Sequence, residues 1–112
     1  MKIKIESLPK EEIQPGVYRK WVFDKNNGAI HFFLRVFEIE PGKGTTLDKH
    51  DYEHEIYILE GKGLFRVGEE EEVLEKNDAV LIPPNVPHFI RNFTDSILKF
   101  ICVVPSTYRR EG

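Results

Sequence analysis

Short apolar segments alternate with turn-forming residues along most of this chain. Val, Ile, Leu and Phe dominate the apolar segments, and Gly, Pro and Asn separate them. No stretch sustains the 3.6-residue period of an amphipathic helix, so the pattern favours strands throughout. Many short strands joined by regular turns are typical of an all-β sandwich or barrel. The predicted strands span residues 2–6, 17–24, 30–40, 47–50, 53–60, 63–67, 72–75, 79–82, 88–92 and 97–104.

The alternation of side chains along a strand predicts which residues face the interior. Lys49 should face water, so Asp48 and His50, on the opposite face of the same strand, should point inward. His54 shares a face with Ile56 and is predicted on the apolar side of the next strand. The same test places one further histidine inside, which gives a convergent set of Asp48, His50, His54 and His88.

Three imidazoles and a carboxylate inside a small barrel need partners, because buried polar groups without partners cost free energy. A divalent transition metal would supply them. Imidazole suits Zn, Cu, Fe and Ni, and an added carboxylate or water favours Mn or Fe. The set therefore predicts an open functional site that holds one divalent metal. Mn or Fe is the preferred ion, and Zn, Ni and Cu are the alternatives. The alternative is that the four residues are ordinary surface or core residues.

The spacing of these residues resembles the first motif of the cupin superfamily, G-x5-H-x-H-x3-4-E-x6-G. Residues 42–61 match this spacing, with Asp48 where the family usually has its first histidine and His54 where it usually has glutamate. With a histidine at the glutamate position, the chain resembles the small manganese-binding cupins, whose sites are built from four histidines. In this chain Asp48 takes the place of one of those four. The resemblance implies a metal site made of Asp48, His50, His54 and His88. Because aspartate is shorter than histidine, Asp48 either ligates directly, acts through a water, or orients a ligand.

The second cupin motif, G-x5-P-x-G-x2-H-x3-N, is matched in spacing by residues 77–92, with His88 at its histidine position. Asn77 and Asn85 stand where the motif has two turn glycines. This replacement is mild, because Asn tolerates left-handed backbone better than other residues with a Cβ atom.

The resemblance covers essentially the whole chain and implies a cupin double-stranded β-helix, a jelly-roll barrel, in one domain over residues 1–112. A length of 112 residues is that of one domain with one core. Small cupins of this kind commonly pair through strand exchange or sheet packing, so the resemblance also implies a homodimer. The predicted strand at residues 2–6 is a candidate contributor to that dimer.

Four residues are candidates for a substrate pocket beside the metal. Lys99 marks the outward face of the last strand, so Phe100 and Cys102 should point into the barrel. Cys102 is otherwise a small buried hydrophobe. Tyr52 lies between two ligand positions and either covers the site or sits on a surface loop. Arg35 would bind an anionic or carbonyl-bearing ligand if it points inward, and is a surface or interface residue if it points outward.

Composition excludes several classes of protein. With 16 basic and 19 acidic residues and a net charge of −3, the chain lacks the basic excess of a nucleic-acid-binding protein. A single cysteine, Cys102, excludes an internal disulfide. No segment approaches the roughly 18 to 20 apolar residues of a membrane span, and no signal peptide is visible, so we expect a cytoplasmic protein without a membrane partner. The excess of Glu and Lys over Gln is typical of hyperthermophile proteins.

Three functions fit these observations. The first is a metal-dependent oxidoreductase of dioxygenase type acting on a small organic substrate, since neutral imidazoles and one carboxylate leave open metal positions. The second is a non-redox metal enzyme such as an isomerase or decarboxylase, because the fold alone does not choose a reaction. The third is a cupin that holds a metal or small ligand without turnover. His31 matches no motif position and is expected to be an ordinary strand or interface residue.

Overall fold

The computed structural model describes residues 1–107. In that part of the chain it contains nine β-strands and two short 3-10 turns, at Ile5–Ser7 and Lys25–Asn27. No helix within residues 1–107 is long and apolar enough to cross a membrane. The strands are β1 (Glu11–Gln14), β2 (Val17–Phe23), β3 (Phe32–Ile39), β4 (His54–Glu60), β5 (Lys62–Val67), β6 (Glu70–Glu75), β7 (Ala79–Ile82), β8 (His88–Arg91) and β9 (Leu98–Pro105).

The strands form two antiparallel sheets. The larger sheet has the order β1-β2-β3-β9-β4-β7, and the smaller has the order β6-β5-β8. Isolated bridges from Gly44 to Arg91 and from Asp48 to His88 tie the segment at residues 44–48 to β8 and so extend the smaller sheet. The prediction of an all-β jelly-roll sandwich is therefore confirmed.

The core lies between the sheets and is filled from alternate positions of each strand. On β9 every second residue is buried, and Lys99 points to the other face as predicted. The Phe37 and Phe100 rings stack with centroids 5.3 Å apart and planes at 7°. Each buried large apolar side chain contributes roughly 1.5–3 kcal/mol to stability. The core residues are Val17, Phe33, Phe37, Ile39, Ile56, Ile58, Phe65, Leu74, Ile82, Ile90, Leu98, Phe100, Cys102 and Val104.

Two predicted strands are wrong. Residues 2–6 form no strand, and the chain instead turns at Ile5–Ser7, where the Ser7 hydroxyl donates to the Lys4 carbonyl. Residues 47–50 also form no strand, because only Asp48 pairs there, through its single bridge to His88.

Strand β1 was not predicted from the apolar pattern, because Ile13 is its only apolar residue. It pairs with β2 as a hairpin whose two-residue loop is Pro15 and Gly16. Gly16 has a φ of 75°, the left-handed value that Gly adopts after Pro in a type II turn. The Gln14 amide then contacts Thr46: its Oε1 accepts from the Thr46 N–H at 3.1 Å. The hairpin thereby places β1 against the loop that follows β3.

Asn77 and Asn85 have φ angles of 75° and 64°. Both are in the left-handed region, which confirms that Asn takes the turn conformation for which the motif usually has Gly. Asn92, the last residue of the second motif, is fully buried. Its side-chain amide donates to the carbonyls of Ile39 and Ser96 at 2.9 and 2.7 Å, so Asn92 fastens the turn after β8 to the end of β3.

Candidate metal centre

Three histidines meet inside the sandwich. His54 begins β4, His88 begins β8, and His50 lies in the loop before β4. One ring nitrogen of each residue lies within 4.8 Å of the corresponding nitrogens of the other two. His54 and His88 are buried and His50 is half-buried. Within residues 1–107 no other group of three potential ligands converges in this way.

A main-chain carbonyl fixes the orientation of the His88 ring. Its Nδ1 lies 2.9 Å from the carbonyl oxygen of Val86. A carbonyl oxygen only accepts, so Nδ1 carries the proton and Nε2 keeps its lone pair. A hydrogen bond of this kind is the usual partner of a metal-binding histidine, because it sets both the ring orientation and the tautomer. Val86 lies in the turn between β7 and β8, so the local backbone prepares His88 as a ligand.

His54 also has its Nδ1 beside a hydrogen-bonding partner, Cys102 Sγ at 3.2 Å, and its other ring nitrogen lies deep in the protein. Its Nε2 is buried and has no hydrogen-bond partner among the described residues. A buried polar atom in that position costs free energy unless something pairs with it. A divalent metal bound by the three imidazoles would supply that partner, so these residues fit a metal ion.

Burial also favours the neutral form of two of these imidazoles, His54 and His50. Burial, together with the nearby charges of Arg35, His50 and His88, lowers the pKa of His54 to about 3. Burial likewise lowers the pKa of His50, although the nearby Asp48 carboxylate acts in the opposite direction. A metal binds the neutral imidazole, so at neutral pH no proton has to leave His54 or His50 before a metal binds.

Asp48 lies beside the three histidines rather than among them. Its Oδ2 is 3.4 Å from His50 Nε2, and its side chain is 59% exposed against 21% for His50. Its Oδ1 accepts from the Lys49 N–H at 2.8 Å. Asp48 therefore borders the cavity at its solvent side, where it contacts one histidine of the cluster.

A cavity of about 350 Å³ opens onto the histidines. This volume lies in the range of small-molecule pockets. The cavity is lined by apolar residues from both sheets together with a larger number of polar ones, among them the three histidines and Asp48. The apolar lining comprises Ile13, Phe37, Ile56, Ile82, Ile90 and Phe100, and the polar lining includes Gln14, Arg19, Arg35, Thr45 and Thr46.

Arg35 points into this cavity and is 4% exposed, so the structure decides between the two directions that the sequence left open. Its guanidinium carbon lies 5.5 Å from the Trp21 ring centroid and 5.0 Å from that of Phe37. Its Nη2 donates to Cys102 Sγ at 3.0 Å. Two aromatic faces and a sulfur thus hold a permanent positive charge in the cavity wall.

The other pocket candidates also line the cavity. The Tyr52 ring stacks on His50 with centroids 4.7 Å apart and lies 5.2 Å from His54, so it covers one side of the cluster. Phe100 and Cys102 are both 2% exposed. Cys102 Sγ faces His54 Nδ1 at 3.2 Å, so its surroundings are polar rather than those of a simple buried hydrophobe.

Sequence reasoning missed the part of the cavity that β1 and the following loops build. Ile13 and Gln14 come from β1, and Thr45 and Thr46 come from the loop after β3. The signal for β1 was present as the Pro-Gly pair at residues 15–16, which typically joins two strands of a hairpin. His31 lies outside the histidine cluster and is exposed.

Comparisons with known proteins agree with this architecture. Residues 35–104 match the family model described as Cupin domain. An uncharacterized protein of Methanocaldococcus jannaschii is 32% identical over 106 residues, which are 94% of this chain and 78% of that protein. The 1-methylthio-D-xylulose 5-phosphate methylsulfurylase of Rhodospirillum rubrum is 38% identical over 71 residues, which are 63% of this chain and 46% of that enzyme.

Among solved structures, the polyketide cyclase RemF from Streptomyces resistomycificus superposes with a TM-score of 0.87 at 27% identity. The superposition covers 95% of this chain and 79% of the cyclase. The match to the family model, over residues 35–104, therefore runs from β3 through the histidine cluster to β9. The superposition on the cyclase covers the same part of the fold.

Proposed function

The chain belongs to the cupin domain family, and from this premise we propose that it is a metal-dependent oxidoreductase of dioxygenase type acting on a small organic substrate. His50, His54 and His88 would hold one divalent transition metal, Mn or Fe before Zn, Ni or Cu. The observation that carries the proposal is the buried, unpaired Nε2 of His54, which lies beside two other imidazoles at the end of an open cavity.

When bound by three imidazoles, such a metal supplies Lewis-acid and redox chemistry at the positions that the protein leaves open. The residues of this chain have separate tasks around it. The Val86 carbonyl holds the His88 ring in place. Tyr52 covers His50 and His54 and keeps water from that side. Asp48 Oδ2, at the solvent side of the cavity, would accept a proton from the substrate.

The cavity favours a small, largely apolar substrate that carries one acidic or carbonyl oxygen. Phe37 and Phe100 offer aromatic surface, and the volume of about 350 Å³ suits a molecule of modest size. Arg35 places a fixed positive charge in the wall, which would bind a carboxylate, an enolate, a phenolate or a carbonyl oxygen. Cys102 lies beside Arg35 and contributes to the same wall.

Oxygen uptake tests this proposal. The protein is loaded separately with Mn²⁺, Fe²⁺ and Zn²⁺ and given a panel of catechols, 1,3-diketones, 2-keto acids and enediols. We expect uptake with Mn²⁺ or Fe²⁺, none with Zn²⁺, and none with a His88→Ala variant carrying the same metals. Absence of uptake with either redox metal across the panel would overturn the dioxygenase assignment.

A second candidate is a non-redox metal enzyme that catalyses an isomerisation, a decarboxylation or a cyclisation. The resemblance to a polyketide cyclase and to a methylsulfurylase favours it. Zinc separates the two candidates, because Zn²⁺ has no redox chemistry. Turnover of a panel substrate by the Zn²⁺ form, measured by mass spectrometry, would support the second candidate. A ligand that copurifies unchanged and is never turned over would support a binding protein instead.

We also propose that the chain forms a homodimer and acts in the cytoplasm. Phe32, Tyr57 and Leu81 are large apolar side chains exposed on the outer face of the larger sheet, and a second copy of the chain packed on that face would cover them. Light scattering in solution tests the dimer, and a monomer at micromolar concentration would contradict it.

A further inference from the structure

Three buried groups meet on the Nδ1 side of His54. Cys102 Sγ lies 3.2 Å from His54 Nδ1 and 3.0 Å from Arg35 Nη2. Arg35 Nη2 is farther from His54 Nδ1, at 3.5 Å. The sulfur is therefore the nearer partner of both nitrogens. The register of the larger sheet brings the three together, because β9 pairs with β3 on one side, with Arg35 opposite Cys102, and with β4, which begins at His54, on the other.

The hydrogen-bond capacities of these groups restrict how they pair. Arg35 only donates, so its Nη2 gives a hydrogen to Cys102 Sγ. A histidine that binds a metal is neutral and carries one ring proton, which for His54 lies on Nδ1 or on Nε2. A proton on Nε2 would be a buried donor without an acceptor among the described residues. A proton on Nδ1 has Cys102 Sγ as its acceptor.

We propose that Cys102 is a positioning residue that holds His54 as the Nδ1–H tautomer and so leaves Nε2 free to bind the metal. This role rests on the proposed metal site. It differs from that of a metal ligand, because Cys102 lies outside the cluster whose donor atoms are within 4.8 Å of one another. Second partners of metal-binding histidines are usually carboxylates or carbonyls, and a thiol takes that place here.

Arg35 makes the sulfur necessary. Without an acceptor between them, the Arg35 guanidinium would donate to the nearby Nδ1 and draw the His54 proton to Nε2, which blocks the metal-binding atom. Cys102 prevents this, because it takes the Arg35 hydrogen at the shorter distance. We therefore expect loss of the sulfur to change the tautomer of His54 as well as its packing.

The test uses Cys102→Val, which fills the space but accepts no hydrogen bond, and Cys102→Ser, which keeps an acceptor. Val104→Ala is the packing control, because Val104 is buried on the same face of β9 and does not line the cavity. The His54 tautomer of each metal-free protein is read from ¹⁵N chemical shifts, and Mn²⁺ and Zn²⁺ affinities are measured by competition with a chelator.

In the wild type and in Cys102→Ser, we expect the Nδ1–H tautomer, with metal affinities within about threefold of each other. In Cys102→Val, we expect the Nε2–H tautomer and a loss of roughly 10- to 100-fold in affinity for both metals. Val104→Ala should keep the wild-type tautomer and affinity. These four results together would establish the positioning role.

The proposal would be overturned by an Nε2–H tautomer in the wild type, or by an unchanged tautomer in Cys102→Val. It would also be overturned if Val104→Ala lost as much affinity as Cys102→Val, because the loss would then come from packing. If the wild type binds neither Mn²⁺ nor Zn²⁺, the proposed metal function fails, while the tautomer measurement on metal-free protein still decides the role of Cys102.

Discussion

The main chains of Asp48 and His88 pair directly with each other: each N–H donates to the carbonyl oxygen of the other residue at 2.9 Å. Asp48 precedes His50 by two residues, so this pair brings the His50 and His88 rings together, with centroids 5.2 Å apart. The N–H of Asn85 also donates to the His50 carbonyl. Main-chain hydrogen bonds thus connect the first motif, residues 42–61, to the second, residues 77–92. These bonds require no particular side chain at position 48.

Asp48→Ala should therefore keep the fold and lower metal affinity only modestly, by less than about tenfold. The carboxylate is 59% exposed and contacts only one histidine of the cluster, and exposed charge interactions are weak. His50→Ala, which removes one of the three clustered imidazoles, should cost more. Chelator competition with Mn²⁺ measures both. An equal loss in the two variants would assign direct ligation to Asp48.

His54→Ala should lower metal content more than any change outside the cluster. It removes the buried nitrogen that has no other partner. The expected loss in affinity is at least as large as the roughly 10- to 100-fold that removing an outer partner of a ligand costs. Elemental analysis of the purified protein reports the metal content. His31→Ala is the matched control, because His31 is exposed and outside the cluster, and its metal content should equal that of the wild type.

The metal-free protein should lose stability on mild acidification because of His54. Burial lowers its pKa to about 3, whereas an unfolded histidine has a pKa of about 6.5. Between these values the unfolded chain binds a proton that the folded chain does not, so stability falls as pH falls. The stability that comes from the lowered pKa of His54 is fully present above about pH 6.5 and is lost as the pH falls toward about 3. Its upper limit is roughly 4 to 5 kcal/mol. The lowered pKa of His50 acts in the same direction.

Urea unfolding near pH 7 and near pH 5 measures this effect. From the pKa difference, His54 alone should remove about 2 kcal/mol of unfolding free energy over that interval. His54→Gln removes the titrating group and should show a smaller loss, while the carboxylates contribute equally to both proteins. The same pH dependence in the variant and in the wild type would show that His54 is protonated normally in the folded state.

The features that were predictable from sequence lie on regular strands, and the wrong predictions lie outside them. Alternation placed Phe100 and Cys102 correctly because β9 runs unbroken over eight residues. It could not settle Arg35, because Glu38 puts a charge on the opposite face of β3 as well, and the Trp21 ring beside Arg35 is brought there by the pairing of β2 with β3. The alternation test also gave no guide to how exposed Asp48 is, because its segment is a loop with a single bridge.

Gly61 ends the first motif and Gly28 lies outside both motifs, and sequence spacing alone does not say why either residue is a glycine. Gly61 follows β4 with a φ of 83°, and a Cβ atom there would overlap the backbone of Ile97 and Leu98. Gly28 has a φ of 97°, but a Cβ atom there would meet nothing within 4 Å. The two positions share a left-handed backbone and differ in the space around them.

Gly61→Ala should therefore destabilise the protein by clearly more than Gly28→Ala. Left-handed backbone costs an L-residue roughly 1–2 kcal/mol, and this cost applies at both positions. At Gly61 the overlap adds to it, because the neighbouring atoms are main chain of the turn that leads into β9 and have no rotamer by which to move away. Urea unfolding of both variants gives the two costs, and their difference isolates the overlap. Equal losses would mean that the turn before β9 yields to accommodate the methyl group, and that Gly61 is needed only for its φ angle.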